Sequence, residues 1–324
     1  MVRSVLLCLA LTTPISTSGL TVQCPCLGKI EPAHFGTDET SSFLAASGVQ
    51  TFVCHQHVAG HENNGVQEMA NHGNGLRTDL VEPIHQRWGP AMQIFGVLSP
   101  DACRNIQRTC EETLGFGNFD TGKNQHGALQ LLVSESMAQL IARRIQTCID
   151  VVQVEKRRKE VAEGCSHLSG SQSPPGKLQF AGINRRWRVY RYKPNAQERF
   201  APHIDAGFPA SGIDSNGCFQ FDVGDPDVVS RLTLLLYLND DFKGGETVFY
   251  HPSSSSSSPE EAMAMVRPVT GSVLLFPQAV GEEAVEYARQ NWPLHEGSIV
   301  RSGRDPKYVI RSDVLFRELK TPPT

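Results

Sequence analysis

Apolar positions recur at two different periods along the 324-residue chain, and the change of period divides it. Past Leu98, residues Cys103, Ile106, Cys110 and Leu114 fall three to four apart, the spacing of one helical face. Ser99 can cap that helix, Pro100 suits its first position, Asp101 complements the positive dipole end, and Gly115 can close it in a left-handed cap. The pattern predicts an amphipathic helix over 100–114. A second helix is expected from about Ser134 to Glu163, with Met137, Leu140, Ile141, Ile145, Cys148, Ile149 and Val152 as its buried stripe and a charged tail from Glu155. Cys103 and Cys110 lie about 10 Å apart along such a helix, too far for a disulfide, and are expected to pack as small core residues.

Residues 164–176, rich in Ser, Gly and Pro, read as a connecting loop, and beyond them period two takes over. Trp187 to Tyr192 alternates, and Leu232 to Leu238 is a continuous apolar run suited to a strand covered on both faces. Ser272 to Phe276 and Tyr308 to Phe316 follow as further strands. Many short strands separated by turns predict two sheets packed face to face, a jelly roll: a mainly β fold with flanking helices. Arg185, Arg186, Arg188, Arg191 and Lys193 alternate with apolar residues, so they are expected to form the solvated face of their strand rather than a phosphate-binding patch. The six serines Ser253 to Ser258 offer no apolar surface and are expected to form a mobile surface loop.

Composition adds bounds. With 40% hydrophobic and 20% charged residues the chain can bury a full core, and a net charge of -4 gives no general attraction to nucleic acid or anionic membrane. The N-terminus has Arg3, an apolar run from Val5 to Leu11, and small residues at Ser16 to Gly19. A secretory signal peptide over 1–19 is therefore expected, placing the protein in the secretory pathway, in the endoplasmic reticulum lumen. The lack of acidic residues before Glu31 keeps an organelle transit peptide as the alternative. Thr12, Thr13 and Pro14 cut the apolar run short of the roughly 20 residues a spanning helix needs, so no stable membrane span is expected. Of nine cysteines, Cys8 falls in the leader, and the rest are compatible with some disulfides. Residues 20–90 hold Cys24, Cys26, Cys54, His55, His57, His61 and His72 without a sustained period. They are expected to form an irregular extension, since paired zinc motifs are more tightly spaced.

The candidate chemistry starts at Ala201-Pro202-His203-Ile204-Asp205. On a strand, His203 and Asp205 share a face, and with the distant His295 they would make a 2-His-1-carboxylate triad that leaves positions open on Fe(II). Glu296 would point to the opposite face from His295 and is not counted as a ligand. His251, beside the serines, is expected to be exposed.

The surrounding segments, in order, are Tyr190-Arg191-Tyr192-Lys193-Pro194, Arg231-Leu232-Thr233 through Asn239-Asp240, Gly244-Gly245-Glu246-Thr247-Val248-Phe249, Pro268 through Pro277, Leu294-His295-Glu296-Gly297, and Lys307-Tyr308-Val309-Ile310-Arg311-Ser312-Asp313-Val314. In this order and spacing the chain resembles the prolyl 4-hydroxylase-like Fe(II)/2-oxoglutarate dioxygenases over roughly residues 91–319. The resemblance implies a double-stranded β-helix domain over 177–319, braced by a helical support region over 91–176. It implies iron held by His203, Asp205 and His295, and 2-oxoglutarate held by Lys307, with Tyr192 and Thr233 in contact and Arg311 as runner-up to Lys307. Gly303-Arg304-Asp305-Pro306-Lys307 carries two residues more than the family's usual spacing here. Gly244 and Gly245 would form a tight turn with Glu246 structural. The implied reaction consumes 2-oxoglutarate and O2, releases succinate and CO2, uses ascorbate as reductant, and hydroxylates a protein or peptide side chain, with a Pro-rich segment the leading substrate. The alternatives are a dioxygenase for a non-prolyl or small-molecule substrate, and a non-catalytic jelly-roll binding protein.

Overall fold

The computed structural model describes residues 76–149, 177–213, 218–220, 225, 227–252, 261–279 and 291–319, plus the backbone of elements at 22–24, 28–32, 34–35, 50–55 and 150–162. The leader at 1–19, the linker at 164–176 and the serine run at 253–258 lie outside the described residues. So do the side chains of Cys24, Cys26, Cys54, His55, His57, His61 and His72.

In chain order the first strands are β1 (Val22–Cys24), β2 (Gly28–Pro32), β3 (His34–Phe35) and β4 (Gln50–His55). Next come β5 (Thr78–Leu80), α1 (Glu82–Trp88), β6 (Met92–Ile94), α2 (Pro100–Arg108), β7 (Gly117–Asp120), β8 (Gln125–Leu132) and α3 (Glu135–Ala162). The remainder is strand: β9 (Lys177–Ile183), β10 (Arg186–Tyr192), β11 (Phe200–His203), β12 (Gly212–Ile213), β13 (Cys218–Gln220) and β14 (Val228–Tyr237). It continues with β15 (Phe242–Gly244), β16 (Thr247–Tyr250), β17 (Ala262–Val266), β18 (Val273–Pro277), β19 (His295–Gly297), β20 (Val300–Gly303) and β21 (Lys307–Leu319).

The larger sheet runs β1-β2-β4-β8-β10-β21-β14-β18-β6-β5, and the smaller runs β11-β19-β16-β17. Because side chains alternate along a strand, the larger sheet presents two different faces. Trp187 and Val189 of β10, Leu232, Leu234 and Leu236 of β14, and Tyr308 and Ile310 of β21 share one core with Ile106 of α2 and Met137, Ile141 and Ile145 of α3. The opposite face places Tyr192, Tyr237, Phe276 and Val309 in a second core with Phe249 and Val266 of the smaller sheet. This is the expected jelly roll, with helices bracing one face. Each fully buried Leu, Ile or Phe side chain contributes about 1.5–3 kcal/mol, so the helix-facing core supplies a rigid back to the sheet.

Several local expectations change. The helix from Pro100 is capped by Ser99, whose side chain accepts from the Ala102 N–H, but at Thr109 it widens into a π-helical turn over Thr109–Leu114. The Gly115 N–H closes that turn on the Cys110 carbonyl at 2.9 Å, and Gly115 sits at φ 77, ψ 151, an extended conformation open to glycine, rather than in a left-handed cap. Cys103 and Cys110 are buried free thiols, as the spacing implied. The region 91–176 is not only helical, because it also gives β6, β7 and β8 to the larger sheet. Nor is the extension simply irregular: β4 pairs with β8 in parallel, Gln50 opposite Leu129, and β2 and β1 continue that edge.

The largest departure concerns the arginines of β10. Arg186 and Arg188 are half-buried rather than solvated; they lie on the same side of β10 as Tyr190 and Tyr192, and burial lowers the pKa of both, that of Arg186 to about 8. Arg186 donates to Gln130 Oε1 at 2.7 Å. Arg191, on the other face, donates to both oxygens of Glu111 at 3.0 and 2.9 Å.

Candidate metal centre

β11 ends at His203, so Asp205 is not its same-face strand neighbour as alternation implied. It stands just beyond the strand, where the Ala279 N–H donates to its carbonyl at 2.8 Å and Gly207 donates back to Ala279 at 3.0 Å. The Cβ that any other residue would bring to 207 would sit 2.9 Å from the Ser230 carbonyl, which keeps this crossing tight. His295 opens β19 and lies directly across from His203 in the ladder. The clamp expected from sequence therefore forms, from a strand end, a pinned loop and a neighbouring strand.

His203 Nε2 lies 3.6 Å from Asp205 Oδ1, and His295 Nε2 lies 3.5 Å from Asp205 Oδ2. One ligand atom from each of the three residues falls within 4.8 Å of the others. The Nδ1 atoms face backbone carbonyls, His203 that of Ala201 at 2.8 Å and His295 that of Pro293 at 3.1 Å. Both rings are satisfied with the proton on Nδ1, which turns two Nε2 lone pairs and a carboxylate toward one point. Three electron-pair donors so arranged repel one another unless a cation lies between them, and this donor set fits a divalent transition metal such as Fe(II). Burial alone would raise the Asp205 pKa, but the Arg311 guanidinium and the two imidazoles hold it well below the usual carboxylate range. Burial lowers His295, favouring the neutral ligand form.

Asp205 is oriented from behind. The Thr233 hydroxyl donates to Asp205 Oδ2 at 2.6 Å, and Gln278 Nε2 donates to Thr233 Oγ1 at 3.1 Å and to Asp313 Oδ1 at 2.7 Å. Ser230 fixes the other end of Gln278 by donating to its Oε1 at 2.7 Å. Thr233, expected to touch 2-oxoglutarate, instead supports the candidate metal ligand and does not line the pocket. Gln278 carries no motif signal that sequence reasoning used.

The pocket in front of the triad has a cavity volume of about 70 Å³, and Lys307, Tyr192 and Arg311 line it. Lys307 is 2% exposed, donates to the Gly245 carbonyl at 2.7 Å, and lies 5.2 Å from the Tyr192 ring. Burial pushes its pKa down to about 8, against an opposing pull from Glu246. Lys307 and Tyr192 are direct cross-strand partners, so a single anionic group could meet both. Arg304, Asp305 and Pro306 form the turn after β20, and Lys307 opens β21 opposite Tyr192. Gly244 and Gly245 make the expected turn, at φ 81 and 70. Glu246 is structural, 3.7 Å from Arg301 and accepting from Ser298 at 3.2 Å.

Arg311 is placed differently from a substitute for Lys307. Its Nη2 is 3.1 Å from Asp205 Oδ1 and its Nη1 is 3.3 Å from Asp313 Oδ1, so it flanks the metal ligand. Glu296 stays out of the triad, at the rim shared with a neighbouring open groove lined by Gln197, Arg199, Val248, Met265 and Arg301. His251 is exposed, as expected. Two residues in or behind the pocket carry no motif signal. Arg188 lines the cavity, and counting by twos back from Tyr192 along β10 would have found it. His126 of β8, fully buried and held at a pKa of about 4 by burial, stacks behind Tyr192 and Phe200 as a neutral ring.

Residues 187–312 match the model of the 2OG-Fe(II) oxygenase superfamily. No curated protein matches the chain. Solved structures to which the chain is similar include the viral collagen prolyl hydroxylase of Paramecium Bursaria Chlorella virus-1 in its 2-oxoglutarate complex, 18% identical, covering 70% of this chain and 95% of its own, TM-score 0.35. HygX from Streptomyces hygroscopicus, with nickel and 2-oxoglutarate bound, is 12% identical, covering 73% and 85%, TM-score 0.35. The dioxygenase for auxin oxidation 1 from Arabidopsis thaliana is 15% identical, covering 75% and 89%, TM-score 0.34. The matched segment, from Trp187 to Ser312, contains the triad, Tyr192, Lys307 and Arg311.

Proposed function

We propose that the protein is an Fe(II)/2-oxoglutarate-dependent dioxygenase that hydroxylates a side chain of a protein or peptide, with proline in a Pro-rich segment as its leading target. The observation that carries the oxygenase reading is the convergence of His203, Asp205 and His295 on one point of a pocket that a buried lysine also lines. Iron bound at that point supplies the activation of O2 that couples oxidative decarboxylation of 2-oxoglutarate to hydroxylation of a C–H bond.

The chain's own residues do the rest. Lys307, protonated, neutralises the distal carboxylate of 2-oxoglutarate, because a carboxylate taken into so enclosed a site without a cationic partner is costly. The Tyr192 hydroxyl, kept protonated by burial, is available to donate to the same group. Thr233 and Arg311 keep Asp205 ionised and correctly turned. Phe200 and Tyr190 line the pocket with their rings, His126 packs against both, and this aromatic wall limits water near the reacting atoms.

Support for a peptide substrate comes from the resemblance of the segments around the triad to the prolyl 4-hydroxylase branch and from the open groove meeting the pocket at Glu296. A Pro-rich chain enters such a groove already extended, at little ordering cost. The signal-like N-terminus supports action in the secretory pathway, where ascorbate would serve as reductant, and no described helix is long and apolar enough to cross a membrane. The test is aerobic incubation with Fe(II), 2-oxoglutarate, ascorbate and Pro-rich peptides, followed by succinate release and mass spectrometry. One oxygen gained on a proline ring supports the assignment, whereas succinate coupled to oxidation of another residue or a small molecule leaves the oxygenase and removes the prolyl substrate.

A further inference from the structure

Two arginines face each other inside the pocket. Arg188 of β10 is the direct cross-strand partner of Arg311 of β21, and both line the cavity beside the triad. Like charges directly opposite one another on a covered face are destabilising, so the pairing calls for a reason. Arg311 is ion-paired to Asp205 at 3.1 Å and to Asp313 at 3.3 Å, and both its terminal nitrogens are buried, each with a second N–H group left over. Arg188 has neither hydrogen bond nor ion pair among the described residues, and what it does touch is the face of Phe208, its guanidinium 5.3 Å from the ring centre. Arg311 lies over the same ring at 5.6 Å. Phe208 is itself fixed, its N–H donating to Ser230 Oγ at 2.7 Å, so it shelves both guanidiniums at one height.

Charge points the same way. Among the charged residues that line the pocket, Arg188, Lys307 and Arg311 stand against Asp205 and Glu296, which leaves an excess of one positive charge. A divalent metal and the 2-oxoglutarate dianion cancel each other and leave that excess in place. Lys307 is four residues from Arg311 along β21, roughly 13 Å at a strand's rise, too far for one small diacid to take all three cations on a single carboxylate.

We propose that Arg188 and Arg311 together hold a carboxylate of the primary substrate, making this enzyme selective for an acid: a peptide with an acidic side chain or free C-terminus near the target, or a small carboxylic acid. Planar guanidiniums lying over one ring can each offer N–H donors to a carboxylate, and Arg suits that geometry where Lys does not. The inference rests on the pocket being the reaction site proposed above, but binding tests it without turnover.

The protein is loaded anaerobically with Zn(II) and saturating 2-oxoglutarate, and calorimetry then measures binding of four probes. These are N-acetyl-Pro-Pro-Gly-Pro as free acid and as C-terminal amide, and N-acetylproline as free acid and amide. The acid form of at least one pair should bind roughly tenfold to a hundredfold more tightly than its amide. Arg188→Gln should collapse that ratio to about one, and Arg188→Lys should restore part of it. Preference confined to the tetrapeptide identifies a peptide acid, and equal preference in both pairs identifies a small acid; either supports the site. Equal binding of acid and amide in both pairs, or no binding of any acid, overturns the proposal. So does a loss of 2-oxoglutarate affinity in Arg188→Gln as large as the loss of acid preference, since Arg188 would then serve the co-substrate. Succinate release in the aerobic assay reports on the oxygenase reading separately.

Discussion

The Thr233 hydroxyl donates a 2.6 Å hydrogen bond to Oδ2 of Asp205, the oxygen that faces His295. A β14 side chain on the large sheet thus sets the direction of a carboxylate that stands on a loop. Thr233→Val keeps the shape and removes the donor. It should weaken metal binding by about 10–100-fold, the usual cost of losing an outer-shell partner, with the melting temperature little changed. Competition against a chelator measures this; unaltered affinity would mean that Gln278 and the backbone hold Asp205 without help.

Lys307 gives a pH signature. Its pKa in the empty site is lowered to about 8, so the cation that 2-oxoglutarate needs is present below that pH and lost above it. Affinity for 2-oxoglutarate should be flat up to about pH 8 and then fall roughly tenfold per pH unit. Without ligand the sign reverses: between about 8 and the ordinary lysine value of 10.5 the unfolded chain holds a proton the folded one has released, so this group makes the fold gain stability as pH rises. Lys307→Met should lose roughly 10–100-fold in 2-oxoglutarate affinity with metal affinity retained. Calorimetric titrations across pH 6.5–9.5 check both, where ~1 pH unit steps suffice.

Gly245 makes room for that lysine. It sits at φ 70, and an added Cβ would lie 2.9 Å from the Phe242 ring and 3.1 Å from Lys307 Cδ. Gly245→Ala should cost about 1–2 kcal/mol from the backbone alone and also displace the ammonium. Thermal unfolding should show the first effect and 2-oxoglutarate affinity the second. A variant that loses stability and keeps full affinity would show that Lys307 can readjust.

Much of this is legible in the sequence. Leu232 to Leu238 is apolar on both faces because helices cover one side of β14 and the smaller sheet the other, and a continuous run reports that directly. His203, Asp205 and His295 were legible as residue types that motif spacing brings together. The arginines of β10 were not. Alternation says that Arg186, Arg188, Tyr190 and Tyr192 share a face, but whether that face meets water or a second sheet depends on strands β11, β19, β16 and β17, far along the chain. Thr233 lies on the strand that the motif implied, and its hydroxyl is engaged by the loop carboxylate of Asp205. The π-helical turn at Thr109–Leu114 has no periodic signature distinct from an α-helix over six residues. The pairing of β4 with β8 is non-local, and no local pattern in residues 50–55 announces it.

The central claim is that His203, Asp205 and His295 bind one metal ion that also receives 2-oxoglutarate. Anaerobic titration of the purified chain with Fe(II) and 2-oxoglutarate, followed by its visible metal-to-ligand charge-transfer absorbance, tests this most directly. The expected result is a band that saturates at one equivalent of Fe(II) per chain, requires 2-oxoglutarate, and is absent in His295→Ala and Asp205→Ala proteins whose circular dichroism is unchanged. A band of undiminished intensity and stoichiometry in those folded variants, or none in the wild-type protein, would contradict the account.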